Sequence, residues 1–131
     1  MEWVLGSPSR RELGPNEISV RMEGSTKGRM YFGLNTIKAW GLSDAQSVDI
    51  SSSSKDPHVL LLQFRTDKQG GFQVFKKTKR GGMYIAPRRM LMGAGAETAR
   101  YHIKHSGKVM IVDFARDKTS FLQERKRKRL T

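Results

Sequence analysis

The sequence predicts a mostly β protein with short helices, in which two similar halves share one core. Three observations lead to this prediction. Short segments alternate apolar and polar residues, as half-buried strands do. Glycine-rich or charged turns separate these segments. The order strand, strand, helix, strand, strand then occurs a second time along the 131 residues, which is an ordinary length for one domain.

The first half, residues 18–64, contains each element once. Its predicted elements are a strand at 18–22, a turn at 23–28, a strand at 30–32, a helix at 34–42 and strands at 48–50 and 59–64. The strands follow the alternation of apolar and polar residues. The helix has amphipathic spacing and is predicted to end at Gly41, a residue type that commonly terminates helices.

The second half, residues 71–114, repeats this order after a linker at 65–70. Its predicted elements are the strand GFQVFKK, a TKRGG turn, the strand MYI, a helix after Pro87 and strands at 99–104 and 108–114. The motif of Gly28, Met30 and Tyr31 matches Gly81, Met83 and Tyr84 at a separation of 53 residues. We interpret the likeness as an internal duplication whose halves interlock around a pseudo-twofold axis.

The remaining chain is predicted to flank this single domain of residues 18–114. Residues 1–17 form an N-terminal extension that includes the linker SPSRRELGPNE, and residues 115–131 form a basic tail. The first residues lack the basic leader and apolar block of a signal peptide. No apolar run approaches the roughly 18 residues of a spanning helix. We therefore expect no membrane partner and a cytoplasmic or nucleoid-associated protein, or a nuclear one in a eukaryote.

Charge is the strongest global signal in the sequence. The chain has 25 Lys and Arg against 12 Asp and Glu, a net charge of +13. Residues 65–89 have eight basic residues and one acidic residue, and residues 116–131 have seven and two, so these segments contribute +7 and +5. A localised excess of this kind predicts an acidic partner, with nucleic acid favoured over a surface that is basic only for solubility.

The entrance of the second helix is the predicted phosphate site. Arg88 and Arg89 follow Pro87, where an arginine fork can bind phosphate or a guanine edge. In the first half the matching positions are Asn35 and Thr36. The predicted nucleic-acid-binding residues are Arg29, Lys38, Lys76, Lys77, Lys79, Arg80, Arg88 and Arg89, with Arg125, Lys126, Arg127, Lys128 and Arg129 in the tail. The turn could equally be a solvated hairpin, and the tail a solubilising segment or localisation signal.

One stretch resembles a known family. GRMYFGLNTIKAWGLSDAQSVDI, residues 28–50, resembles the swapped-hairpin unit of AbrB-type DNA-binding proteins. The positions that carry the resemblance are Gly28, Arg29, Ile37, Gly41, Leu42, Val48 and Ile50. In that family two chains form a barrel. The resemblance implies that this chain forms a double-psi-like or swapped-hairpin-like β-barrel from its own halves, and that it binds double-stranded DNA. The second half is expected to lack the Leu-Gly-aliphatic part of the motif.

Catalytic and metal-binding interpretations find little in the sequence. The absence of cysteine excludes a disulfide framework, a thiolate nucleophile and Cys-ligated zinc. His102 and His105 are three residues apart in a predicted strand, which points them to opposite faces. GAGAET at 93–98 follows a helix and lacks the Lys-Ser/Thr of a phosphate-binding loop. We expect no enzyme, no cofactor and no metal.

The sequence therefore predicts a nucleic-acid-binding regulator or accessory factor, acting as a monomer with an internal pseudo-dimer or as a homodimer. Double-stranded DNA is the preferred ligand. RNA or single-stranded DNA is the alternative, because Tyr31 and Tyr84 could stack on unpaired bases, although a position at the core boundary fits them as well. A second alternative is a protein-docking factor that binds an acidic partner of a nucleic-acid machine.

Overall fold

The computed structural model describes residues 12–24, 26–76 and 81–119. Within them, the elements in chain order are β1 (Glu17–Glu23), β2 (Lys27–Phe32), α1 (Leu34–Trp40), β3 (Ser47–Ser52), β4 (Val59–Arg65), β5 (Phe72–Gln73), β6 (Met83–Ile85), α2 (Arg88–Gly93), β7 (Ala99–His102), β8 (Lys104–Ser106) and β9 (Val109–Asp113). Strands contain 44% and helices 13% of the described residues, which confirms a mostly β protein with short helices.

The strands form two antiparallel sheets that are connected on both sides. The four-stranded sheet has the order β6-β2-β1-β7, and the five-stranded sheet has the order β5-β3-β4-β9-β8. Only Ile103 separates β7 from β8, so one stretch of chain contributes to both sheets. On the other side, Phe75 continues from β5 and forms an isolated bridge with Tyr84 of β6.

One hydrophobic core lies between the sheets. Strand alternation directs every second side chain inward, so Ile18 and Val20 of β1 and Met30 and Phe32 of β2 are almost fully buried. The same cluster includes residues from the second half, among them Met83, Ile85, Leu91, Tyr101, Met110 and Val112. Both halves therefore depend on the same core.

The strand registers relate the two halves residue by residue. Tyr31 of β2 pairs with Tyr84 of β6, and these are matching residues 53 positions apart. Leu61 of β4 pairs with Ile111 of β9, which are likewise matching residues, 50 positions apart. An antiparallel pair centred on two equivalent residues is the arrangement that a twofold axis between them would produce.

The first and third strands are exchanged between the halves. Ile18 of β1 pairs with Tyr101 of β7, while Phe72 of β5 pairs with Val48 of β3. The two pairs are equivalent, because in each the first strand of one half pairs with the third strand of the other half. Each sheet therefore contains strands from both halves.

The two helices end in the same way, which corrects one detail of the sequence comparison. The N–H groups of Leu42 and Ala96 donate to Ile37 and Leu91 at 2.9 Å, across glycines in the left-handed region, Gly41 (φ 65°) and Gly95 (φ 74°). The second half therefore has a counterpart of the Gly-aliphatic motif, Gly95-Ala96, that the sequence comparison missed.

The helix entrances are also shifted by one residue from the sequence comparison. The N–H of Ile37 donates to Gly33 at 3.1 Å, and that of Leu91 donates to Pro87 at 3.0 Å. Gly33 and Pro87 are therefore equivalent, so Arg88 and Arg89 match Leu34 and Asn35 rather than Asn35 and Thr36.

The described residues that flank the repeats bond to α1 and to β7. Residues 13–15 were predicted as part of a linker, but their carbonyls accept hydrogen bonds from the side chains of α1: Asn35 to Leu13 at 3.0 Å, Thr36 to Gly14 at 3.0 Å and Trp40 to Pro15 at 3.2 Å. Residues 117–119 pair with β7 through bonds of 2.9 Å from His102 and to Arg100.

The linker between the halves is fastened to β3 through Ser47. Its buried Oγ donates to the Asp67 carbonyl at 2.7 Å and accepts from the Gly70 N–H at 2.9 Å. A Cβ added to Gly70 would lie 2.6 Å from that Oγ and 3.0 Å from the Val48 nitrogen. The close approach of the linker to β3 therefore requires a glycine.

Replacing Gly70 with alanine should lower the free energy of unfolding by about 1–3 kcal/mol, because the added methyl group forces Ser47 and β3 apart. Gly71→Ala is the matched control, since the nearest atom to its added Cβ is 4.0 Å away. Urea denaturation of both variants measures the difference. Equal stability of the two would show that the linker relaxes without cost.

Candidate nucleic-acid interface

Four cationic residues from both halves lie at the beginning of β2 and at the adjoining entrance of α2. Because β6 is antiparallel to β2, with Ile85 opposite Met30, the chain leaving β6 arrives beside Gly28. A Cβ added to Gly28 would lie 3.1 Å from the Cα of Arg88, so the glycine allows the entrance of α2 to lie against β2. This contact places the backbone of Arg88 beside Gly28, whose neighbours in the chain are Lys27 and Arg29, and we call Lys27, Arg29, Arg88 and Arg89 the Gly28 cluster.

No ion pair joins the Gly28 cluster to a carboxylate within the described residues, although Glu23, which lies opposite Lys27 in the β1–β2 register, interacts electrostatically with Arg29. The side chains of Lys27, Arg88 and Arg89 make no hydrogen bond with the described residues, and the side chain of Arg29 bonds to Tyr31. Several cations elsewhere are paired: Arg65 with Asp49 at 3.2 Å and Asp67 at 2.9 Å, Arg100 with Glu17 at 3.7 Å, Lys104 with Asp117 at 3.4 Å and Lys118 with Glu97 at 3.1 Å. Arg88 and Arg89, where the sequence predicted a phosphate site, have no ion pair in the described part of the chain.

Arg88 is half-buried, as is Arg29. The Nε of Arg88 is buried and has no hydrogen-bond acceptor in the part of the chain that the structure describes. A buried donor without a partner costs about 1–3 kcal/mol, and such donors are rare in folded proteins. Arg89, the next residue, is exposed to solvent.

An aromatic row lies next to the cluster, on the outer face of the four-stranded sheet. It consists of Tyr31, Tyr84 and Phe75. The rings of Tyr31 and Tyr84 are 5.6 Å apart and tilted by 39°, whereas Phe75 stacks on Tyr84 at 5.0 Å with an angle of 21°. The two tyrosines are half-buried, and Phe75 is 39% exposed.

Arg29 joins the cluster to the aromatic row. Its Nη1 donates to the Tyr31 hydroxyl at 3.4 Å, and its Cζ lies 5.1 Å from the centre of the Tyr84 ring. The hydrogen bond to Tyr31 raises the pKa of the Arg29 guanidinium, so this side chain is cationic at every physiological pH. The position over the ring is that of a cation–π contact.

Phe75 was not among the residues predicted for the site. The signal in the sequence was the phase of the strand GFQVFKK: Phe72 and Val74 alternate inward, which places Phe75 at an outward position where a polar residue is usual. An exposed aromatic residue on a strand is a mark of a binding surface.

Lys76, the described residue of the turn at 76–80, lies apart from Arg88 and Arg89. Lys76 donates to the Ser43 carbonyl at 2.7 Å, beyond the end of α1. The chain then enters β6 near Leu34, whose Cδ1 would lie 3.9 Å from a Cβ added to Gly81. Lys76 and Arg88 therefore lie at opposite ends of β6.

The other predicted cations are either isolated or outside the described residues. Lys38 is exposed in the last turn of α1, away from the Gly28 cluster in sequence and element. The following lie outside the described residues: Lys77, Lys79, Arg80, Arg125, Lys126, Arg127, Lys128 and Arg129. Of the predicted cations, Arg29, Arg88 and Arg89 lie on the two elements that approach each other at Gly28, and Lys27 adjoins the same glycine.

Two grooves adjoin the sheets. One, of about 450 Å³, lies beside Phe75 and is lined by Gln46, Lys68, Gln73, Lys76 and Tyr84 among others. The other, of about 600 Å³, is lined in part by Trp40, Phe64 and His105. In residues 12–24, 26–76 and 81–119, no three His, Asp or Glu side chains group as metal ligands would. No helix in that same part of the chain has the length and apolarity needed to cross a membrane.

Comparison of the chain with protein-family models, curated proteins and solved structures finds no match. The likeness to AbrB-type units rests on the motif at residues 28–50 alone.

Proposed function

We propose that this chain is a nucleic-acid-binding protein that grips phosphates with the Gly28 cluster. The observation that carries the proposal is the close approach of the Arg88 backbone to Gly28, which places Arg88 and Arg89 in the same region as Lys27 and Arg29, with no ion pair to a described carboxylate at any of the four. Cations that neutralise phosphates release counterions and supply most of the affinity in sequence-independent binding. The overall charge of +13 adds long-range attraction for the same ligand.

The orphaned Nε of Arg88 supports the same proposal. In the free protein this donor is buried without an acceptor among the described residues. A small movement of the guanidinium toward a phosphate oxygen would satisfy it, and charge-assisted bonds of this kind are about twice as strong as neutral ones. Phosphate binding would then remove the free-energy cost of the unpaired Arg88 donor in the free protein.

The proposal extends to the fold that positions the cluster. The two halves are an internal duplication that closes into one pseudo-twofold β-barrel of the double-psi-like or swapped-hairpin-like kind. Three observations support it: the pairs centred on Tyr31 with Tyr84 and on Leu61 with Ile111, the exchanged first strands, and the connections between sheets at Ile103 and Phe75. The barrel provides a rigid frame for cations contributed by both halves.

The biological role that fits is a small regulator or accessory factor. Double-stranded DNA as its ligand follows from the AbrB-like resemblance, whereas the Gly28 cluster itself is suited to phosphates of any nucleic acid. The run Arg125–Arg129 supplies further charge for phosphate contact. Contacts to the phosphate backbone position a protein on nucleic acid without reading its sequence.

The double variant Arg88→Ala/Arg89→Ala tests the proposal. At moderate salt it should bind duplex DNA and single strands more than about tenfold more weakly, since each charged contact contributes roughly 1 kcal/mol or more. Fluorescence anisotropy with labelled oligonucleotides measures the change.

Lys55→Ala/Lys108→Ala is the matched control. These lysines are exposed, lack ion pairs with the described residues and belong to turns of the five-stranded sheet, so the control removes the same charge from another surface. It should change the affinity less than about twofold. Equal affinities of the two double variants would remove Arg88 and Arg89 from the site. Retention of a copurifying acidic protein after nuclease treatment, with no oligonucleotide binding, would replace nucleic acid by a protein partner.

A further inference from the structure

Phosphate contacts by the Gly28 cluster do not account for the aromatic row beside it. We infer that Phe75 is a stacking platform for an unpaired base, which makes single-stranded nucleic acid the ligand of this surface. The inference rests on the proposed function, since the phosphates of the same strand are to be held by the Gly28 cluster.

Phe75 is held in place before any ligand arrives. Its backbone exchanges two hydrogen bonds of 2.9 Å with Tyr84, and its ring stacks on the Tyr84 ring. Tyr84 is in turn fixed by the Tyr31 ring and by the guanidinium of Arg29. A ring supported in this way loses little freedom when a base stacks on it, so most of the stacking energy appears as affinity.

The Phe75 ring is also accessible to solvent. It is 39% exposed, and the other large exposed hydrophobic residues among those described are Leu34 and Met92, which belong to α1 and α2. A protein interface buries a contiguous apolar patch, whereas one exposed ring suits one planar base.

Cations lie in the vicinity of the ring, where they could contact the phosphates on either side of a stacked base. Arg29 is on the Tyr84 side. Lys76 follows Phe75 in the chain, and Lys68 lines the adjoining groove of about 450 Å³. Aromatic rings combined with a basic groove are the means by which proteins bind single strands without sequence preference.

A duplex does not benefit from this surface, because its bases are already stacked on each other. Its contacts are restricted to phosphates and groove edges, which the Gly28 cluster can reach without Phe75. Phe75 should therefore contribute to the affinity for single strands and not to the affinity for duplexes. Duplex binding that depends on Phe75 would count against the inference.

The test compares Phe75→Leu with Phe75→Trp in the full chain. Leucine keeps apolar bulk without a π-face, and tryptophan keeps the π-face. The probes are labelled oligothymidine, oligouridine and a hairpin duplex of matched length, measured by anisotropy at moderate salt. We expect Phe75→Leu to weaken single-strand binding about fivefold or more, Phe75→Trp to retain it and both to leave duplex binding unchanged.

The outcomes distinguish this inference from the proposed function. If Phe75→Leu binds single strands as tightly as the native protein while Arg88→Ala/Arg89→Ala is impaired, the platform is wrong and the phosphate grip stands. If the native protein binds none of the probes, both fail. A loss confined to oligothymidine or to oligouridine supports the platform and assigns it to DNA or RNA. Thermal unfolding of each variant shows whether the fold is kept, and Phe75→Met, which also lacks a π-face, replaces Phe75→Leu if the latter does not fold.

Discussion

Replacing Tyr101 with alanine should lower the free energy of unfolding by about 3–5 kcal/mol, as expected for loss of a large aromatic side chain from a core. Tyr101 is fully buried, and its ring meets Phe114 edge to face at 4.8 Å and 74°. Its hydroxyl donates to the Glu97 carbonyl at 3.0 Å and accepts from the Glu97 N–H at 2.8 Å. Since domains of this size have about 5–15 kcal/mol of stability, this variant should be close to unfolding.

Tyr101→Phe separates the ring from the hydroxyl. It keeps the edge-to-face contact and removes both bonds to Glu97, so it should cost about 1 kcal/mol. Urea denaturation followed by circular dichroism measures both variants. A loss below about 1 kcal/mol for Tyr101→Ala would mean that the core repacks around the gap.

Tyr101 should also make the free energy of unfolding depend on pH in the alkaline range. Burial raises the pKa of the Tyr101 hydroxyl above the ordinary tyrosine value of about 10. The stabilising effect is complete below that ordinary value and is lost as the pH rises through the folded-state pKa, because the unfolded chain releases the proton first. Tyr101→Phe should therefore reduce the loss of stability above about pH 10.

The core was predictable from the sequence because strand alternation is a local property. Ile18, Val20, Met30 and Phe32 follow the period of two that a half-buried strand requires, and they are buried as expected. The division of the predicted strand 99–104 was not predictable. It breaks at Ile103, whose N–H bonds to the Asn16 carbonyl at 2.9 Å, a partner distant in sequence.

The site was predictable only in part for a similar reason. Arg88 and Arg29 belong to different halves, and they become neighbours because β6 pairs with β2 and Gly28 admits the helix entrance. Lys76 is near Arg88 in sequence, yet its side chain bonds to Ser43 beyond α1. The sequence showed which segments are basic, but only the strand pairing shows which basic residues lie on neighbouring elements.

The salt dependence of binding should be steep, and it counts the phosphates held by the Gly28 cluster. If each of its four cations contacts one phosphate, affinity for duplex DNA falls at least about 150-fold between about 50 and about 200 mM salt, and affinity for a single strand falls at least about 50-fold. Arg88→Ala/Arg89→Ala removes two contacts. It should lower the slope of log affinity against log salt by about 1.8 for a duplex and about 1.4 for a single strand.

A difference in slope is more informative than either slope alone. The basic tail contributes equally to the native protein and to the double variant, so its contribution cancels. Lys55→Ala/Lys108→Ala removes the same charge outside the cluster and should leave the slope unchanged. An unchanged slope in Arg88→Ala/Arg89→Ala would show that neither arginine displaces counterions, and the phosphate grip would then belong to other cations. A slope reduced by about 1.4 with a single-strand probe would show that both arginines contact phosphates of a single strand.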